Sequence, residues 1–203
     1  MMWSIGTRSR AAFIVGGVVL TAVGFYAGLS PINPSRAASD TAYEARFNAD
    51  GELIRPEGWR EWIYVGAPLT PNSLNPPEAP FPEFHSVYID PKSWKHYKKT
   101  GEFREGTMLA KELVSIGATQ ATSGKGFFMG EMIGFEIAYK SAKHFPNEPG
   151  NWAYFSFGHK PEPYDKTAAK ESVENCAACH VASAAEDNVF TQYYPVIRAA
   201  KPN

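Results

Sequence analysis

The chain is poor in cysteine, with two thiols in 203 residues. That is too few for a disulfide scaffold and too few for an all-cysteine zinc site. It also lacks an excess of either charge: 20 Lys+Arg stand against 21 Asp+Glu, for a formal net charge of -1. This gives no electrostatic footprint for nucleic acid. No repeat or low-complexity segment stands out, and a content of 44% hydrophobic and 20% charged residues excludes a disordered chain. What the chain does have is aromatic mass: Trp 5, Tyr 10 and Phe 13, enough to build one good core.

The N-terminus carries an export pattern. Arg8 and Arg10 precede an uncharged run from Ala11 to Leu29, the n-region and h-region of a leader. The run is long for a signal peptide and just long enough to span a bilayer. Ser35-Arg36-Ala37 before Ala38 offers small residues at the positions a signal peptidase reads. Residues 1–37 are therefore an export signal or an N-terminal membrane anchor, and 38–203 a single domain delivered to the periplasm or its equivalent.

From Ala38 to Pro82 the chain is rich in Pro, Asn and Gly, which disfavours long elements. Trp59 to Val65 and Glu83 to Ile89 read as strands. Asp90 as N-cap, Pro91 at the first helical position and Gly101 as stop bound a helix. Thr107 to Ser115, Phe127 to Lys140 and Trp152 to Phe157 read as three more strands separated by turn residues, which predicts an antiparallel meander. The Ala-rich segment from Thr167 to Ser183 reads as a helix capped by Thr167. The fold class is α+β, mostly antiparallel β-sheet with flanking helices.

Both cysteines fall in Cys176-Ala177-Ala178-Cys179-His180. This is the c-type haem attachment pattern, in which two thiols add to the porphyrin vinyl groups and the adjacent imidazole ligates the iron. Residues three apart lie on one side of a helical turn, so both sulfurs reach one edge of the macrocycle. A thioredoxin-like pair gives no role to His180, and a structural zinc needs further ligands at close spacing. One covalently attached haem c is the expected cofactor, with His180 on the iron. Candidates for the iron's other face are Met108, Met129, Met132, His85, His96, His144 and His159. The three Met residues fall within predicted strands, as core side chains do.

Strand alternation leaves two carboxylates and a lysine open. Lys111 shares a face with Leu109 and Leu113, where burial would make it a neutral, nucleophilic amine. Alternatively Met108, Ala110 and Val114 face the core and Lys111 reaches solvent. In the following strand Phe128, Gly130, Met132, Gly134, Glu136 and Ala138 share a face whose glycines suit the close approach of a flat object. On that face Glu136 would be a carboxylate above the iron, desolvated into a proton acceptor. Glu131 lies on the opposite face, and either glutamate is also compatible with a solvated sheet surface.

Val87-Tyr88-Ile89-Asp90-Pro91, Gly106 through Val114 (GTMLAKELV), Gly150-Asn151-Trp152-Ala153-Tyr154-Phe155, Cys176 to His180 and Phe190-Thr191-Gln192-Tyr193-Tyr194-Pro195 together resemble the P-460 cytochromes. These are periplasmic mono-haem proteins of ammonia- and methane-oxidising bacteria, and the resemblance spans roughly 55 to 200. It implies a homodimer that oxidises hydroxylamine to nitrous oxide or nitrite, and in such a reaction electrons would leave through the haem to a small acceptor such as another cytochrome c. It also implies a lysine covalently joined to the porphyrin, matching Lys111, a proximal ligand at His180, and a proton-relaying carboxylate matching Glu136. Phe81 or Phe84 would be the distal aromatic. His85 stands where the resemblance leads one to expect an arginine. The sister cytochromes c-prime of the beta type lack the lysine link and bind nitric oxide or carbon monoxide. An electron carrier would instead hold two strong iron ligands.

Overall fold

The computed structural model describes residues 43–202. The leader over 1–37 and its junction with the domain lie outside the described residues. Among those described, no helix is long and apolar enough to cross a membrane.

The element order is β1 (Arg46–Phe47), β2 (Leu53–Ile54), β3 (Ile63–Gly66), β4 (Phe84–Ile89), α1 (Pro91–Thr100), β5 (Met108–Ile116), β6 (Gln120–Ala121), β7 (Gly124–Lys125), β8 (Met129–Lys140), β9 (Trp152–Ser156), β10 (Thr167–Ala168), α2 (Ala178–Ser183) and α3 (Pro195–Ala200). The main sheet runs β3-β4-β5-β8-β9, each pair antiparallel. This is the expected meander, with α1 inserted between β4 and β5 and the small β6–β7 hairpin between β5 and β8. A second sheet, β1-β2-β10, stands apart from it.

Helix α1 forms where its caps dictate. Asp90 Oδ1 accepts from the Ser93 amide at 2.8 Å, Pro91 opens the helix, and Gly101 closes it at φ 75, a left-handed conformation that costs glycine least. The other Asp90 oxygen accepts from the Met108 amide at 2.9 Å. One buried carboxylate thus fixes the start of both α1 and β5.

Apolar residues cover both faces of the main sheet. On one side Met108, Ala110, Phe135, Ile137 and Phe155 pack with Trp59, Trp62 and Tyr164. On the other, Val87, Ile89, Leu109, Trp152 and Tyr154 pack with Tyr97 of α1 and Ile197 of α3. The two alternative core faces read for β5 are therefore both occupied. A central strand covered on both sides has no solvent face, and alternation alone does not reveal that.

Three expectations are corrected. Trp59–Glu61 is a 3₁₀ turn entered from Gly58 at φ 67, and only Ile63–Gly66 is strand. Thr167 caps no helix. Thr167 and Ala168 pair with Ile54 and Leu53, and the helical segment begins after Ser172, whose hydroxyl accepts from the Asn175 amide. Finally, the six-residue face read along β8 is broken. The pairing passes from Leu113↔Gly134 to Val114↔Met132, so a bulge at Ile133 turns Met132 to the other side, where Arg60 donates to its Sδ at 2.7 Å. The glycine spaces are filled by β5 and the turn after it: a Cβ on Gly134 would meet Leu113, and one on Gly130 would meet Ser115 and Gly117.

Candidate functional site

The registers of four strands align one row across the sheet: Val87 beside Lys111, Lys111 beside Glu136, Glu136 beside Ser156. Lys111 and Glu136 are direct cross-strand neighbours, and their side chains meet with Nζ 2.6 Å from Oε2. Each is about three-quarters buried, at 25% and 23% exposure. The Lys111 Nζ also lies 4.6 Å from the centre of the Phe81 ring, a cation–π distance. The next row, Leu109, Ala138 and Tyr154, is apolar apart from one hydroxyl.

Over these rows lies a cleft with about 990 Å³ of empty space, part of it open to solvent. Its floor is the sheet. Its opposite wall is the C-terminal segment: Cys176 and His180 around the start of α2, and Asn188, Val189, Phe190 and Tyr194 beyond it. The segment is held down by Tyr194, Ile197 and Ala177, all buried in the core on this side of the sheet.

His180 is positioned by three neighbours. Its Nδ1 lies 2.8 Å from the Asn188 carbonyl oxygen, and its ring packs between Tyr154 and Phe190 at 4.5 and 4.7 Å. A carbonyl only accepts, so Nδ1 carries the proton and Nε2 is left with its lone pair. This is the arrangement in which a histidine ligates a metal. Burial holds the imidazole below its ordinary pKa and so keeps it neutral. The Asn188 carbonyl sits in a tight turn where Asp187 and Asn188 take φ of 44 and 57. The turn is pinned by Asn188 Nδ2 to the Pro149 carbonyl and by Lys140 Nζ and Trp152 Nε1 to Asp187.

Burial pushes the Cys176 thiol up to about 11, with Glu136 and Glu171 adding to the effect. A redox-active Cys-x-x-Cys motif lowers its thiol instead, the opposite direction. Cys179 is exposed, and both thiols are free.

The cleft fits a haem. It has apolar walls, a histidine nitrogen with a free lone pair, a half-buried thiol on the same wall, and the buried Tyr154 hydroxyl without a protein partner. Among the described residues there is no cluster of acidic, His or Cys side chains for a bare metal ion.

Of the site residues expected from sequence, the cleft brings together Phe81, Lys111, Glu136, Cys176 and His180. It does not include Phe84, which opposes Val114 and points to the other side of the sheet. Of the two expected distal aromatics, Phe81 is thus the one at the cleft. His85 borders it, with its ring 5.9 Å from that of Phe81. Burial and then the Lys111 charge lower its pKa to about 4, and its buried Nε2 has no partner. Among the described residues, no arginine lines the cleft.

Among the other iron-ligand candidates, Met108 is buried in the far core, Met129 and Met132 are exposed, His96 lies on α1, and His144 stacks on Phe47. His159 does line the cleft, hydrogen-bonded to Glu83 at 2.8 Å. Sequence reasoning did not find Asn188 or Ser156. The Asp187-Asn188 pair was a legible turn signal, but its carbonyl contact to His180 has no sequence mark.

A family model described as Cytochrome P460 matches residues 56–191, two-thirds of the chain and a span that includes Phe81, Lys111, Glu136, Cys176 and His180. The chain belongs to that family, and membership implies a c-type haem as its cofactor. No curated protein matches the chain.

Proposed function

We propose that this member of the cytochrome P460 family oxidises hydroxylamine to nitrous oxide or nitrite. On this reading it is a periplasmic homodimer that hands electrons to a small cytochrome c. The observation that carries the reading is the Lys111–Glu136 pair, set side by side in the same cleft as His180.

Cys176 and Cys179 would hold the haem through thioethers, and His180 Nε2 would ligate its iron. When bound, the group supplies one-electron redox chemistry at an iron that accepts a nitrogen ligand. Everything else falls to the chain. Removing electrons from hydroxylamine also releases protons, and Glu136 is the carboxylate in the cleft placed to take them at Oε2. A positioned base contributes roughly 10²- to 10⁴-fold to such a step. Lys111 would be joined through Nζ to a ring carbon, a two-electron oxidation in which one N–H and one C–H hydrogen leave as protons and the electrons pass to an added oxidant of the peroxide class. Glu136, already touching Nζ, is placed to accept the proton that frees its lone pair. Once Lys111 is so bonded, its ammonium no longer competes for the carboxylate. Phe81 closes the cleft over Nζ and limits the space to a small substrate.

The test is turnover of hydroxylamine by the purified haem-loaded protein with an oxidised small cytochrome c as acceptor, in wild type and Glu136→Gln. The expected result is steady turnover in wild type and a loss of about 10²-fold or more in the variant. A wild-type protein that binds nitric oxide or carbon monoxide but leaves hydroxylamine untouched would place it with the beta-type cytochromes c-prime instead.

A further inference from the structure

Glu83 and His159 form a pair that the reaction above does not use. Glu83 immediately precedes β4 and its side chain is 9% exposed; His159 follows β9 and its side chain is 49% exposed. His159 Nε2 lies 2.8 Å from Glu83 Oε1, while Glu83 Oε2 is buried and makes no hydrogen bond within the protein. A carboxylate this deeply buried is costly unless it serves a partner, and the partner it has is a ring with one side in solvent and one in the cleft.

The tautomer follows from the contact. An ionised Glu83 can only accept, so Nε2 carries the hydrogen and Nδ1 carries the lone pair. A proton added at Nδ1 gives an imidazolium whose charge Glu83 balances at hydrogen-bond distance. The ring touches bulk water as well, so it can release that proton outward and return to its starting state.

We infer that His159, held and charge-balanced by Glu83, carries protons between Glu136 and bulk solvent. This rests on the proposed hydroxylamine oxidation, in which Glu136 gathers protons while electrons leave to the cytochrome acceptor. The step is a proton transfer alone. The Glu136 O–H bond breaks, an N–H bond forms at His159 Nδ1, and that bond breaks in turn to solvent, with no electron moved. Both side chains line the same cleft, and Glu136 pairs directly with Ser156, three residues before His159, so the transfer between them runs through water in the open cleft. The other charged groups at the cleft are Lys111, paired to Glu136 until it is bonded to the ring, and Glu171 beside β9, its amide hydrogen-bonded to the Tyr154 carbonyl; the bordering His85 is kept neutral by burial. His159 is therefore a relay and positioning residue, one step removed from the substrate.

The experiment uses the haem-loaded protein in stopped flow with a pH-indicator dye, comparing wild type, His159→Ala and Glu83→Gln. Haem reduction by hydroxylamine and proton appearance in bulk are read separately in weakly buffered solution, and turnover is repeated at the same pH with added phosphate. In wild type the two signals should rise together. In His159→Ala, proton appearance should lag reduction and turnover should fall at least about tenfold, the low end of what outer-shell partners contribute. Added phosphate, a proton carrier that is not a nitrogen ligand for the iron, should restore turnover, a rescue that a merely structural role would not show. Glu83→Gln, which keeps a hydrogen bond but not the charge, should fall between the two. His159→Ala with wild-type proton release and turnover would overturn the relay. So would a low-spin wild-type iron that becomes high-spin in His159→Ala, since that would make His159 an iron ligand. Should wild type itself fail to oxidise hydroxylamine, the proposed function fails and the relay with it, a result distinct from an active wild type with an equally active variant.

Discussion

Arg60 is the residue whose loss should most damage the scaffold behind the site. Glu112 sits on β5 next to Lys111 and, by alternation, points to the opposite face, where it is 1% exposed. Its carboxylate is held by Arg60 Nε at 3.2 Å and Nη2 at 2.5 Å, and by the Tyr164 hydroxyl at 3.3 Å. Arg60 also reaches Glu162 and lies 5.1 Å over the Trp59 ring. Replacing Arg60 with Met leaves a buried charge with one neutral donor, a loss of about 3–5 kcal/mol, with roughly 0.5–1 kcal/mol more from the cation–π contact. Arg60 is 41% exposed, so water can reach part of the vacated site, which favours the low end, about 3 kcal/mol. For a domain of this size that is a fall in Tm of about 6–12 °C, read by thermal unfolding of the holoprotein. Pairing Arg60→Met with Glu112→Leu should recover most of the loss, because a buried ion pair is worth little against an apolar replacement. A single Arg60→Met variant costing under about 1 kcal/mol would refute the view that this pair anchors β5.

Two further outcomes follow from the same structure. His85 takes a proton near 6.5 when unfolded but only at about 4 when folded. Its contribution to stability is therefore complete above pH 6.5 and is lost as pH falls from 6.5 towards 4. In His85→Leu the acid-side loss should be smaller by on the order of 3 kcal/mol, measured by denaturant unfolding at pH 7 and pH 4; equal pH dependence in the two proteins would contradict it. Asp90→Ala removes the N-cap of α1 and the partner of the Met108 amide together, at about 1 and 1–3 kcal/mol. A melt displaced by less than about 2 °C would show that neither contact matters.

The local signals carried the fold well. The Asp90-Pro91 to Gly101 pattern is a helix, and four strands fall where period and turn residues put them, with a fifth starting at Ile63 rather than Trp59, because caps and turns act within a few residues. What escaped the sequence were effects of the partner strand or the opposite wall. Thr167 reads as a cap, yet it pairs with Ile54 instead. The β8 face reads as continuous, but the bulge at Ile133 depends on β5. Within the site, the Cys176 to His180 motif was legible because its spacing is its chemistry. Lys111 and Glu136 were ambiguous from pattern, since their adjacency is a matter of register between strands far apart in sequence. Glu112 was invisible as a buried charge for the same reason: its partner Arg60 lies on a distant turn.

The most direct measurement is the absorption spectrum of the purified protein, ferric and then dithionite-reduced, with an intact mass, for wild type and Lys111→Ala. Wild type should show a strongly red-shifted reduced Soret band and a mass of polypeptide plus one haem, less the hydrogens lost in the extra bond. The variant should show an ordinary c-type reduced spectrum. Identical reduced spectra for the two proteins, with no missing hydrogens in wild type, would contradict the bond between Lys111 and the ring and the catalytic reading built on it.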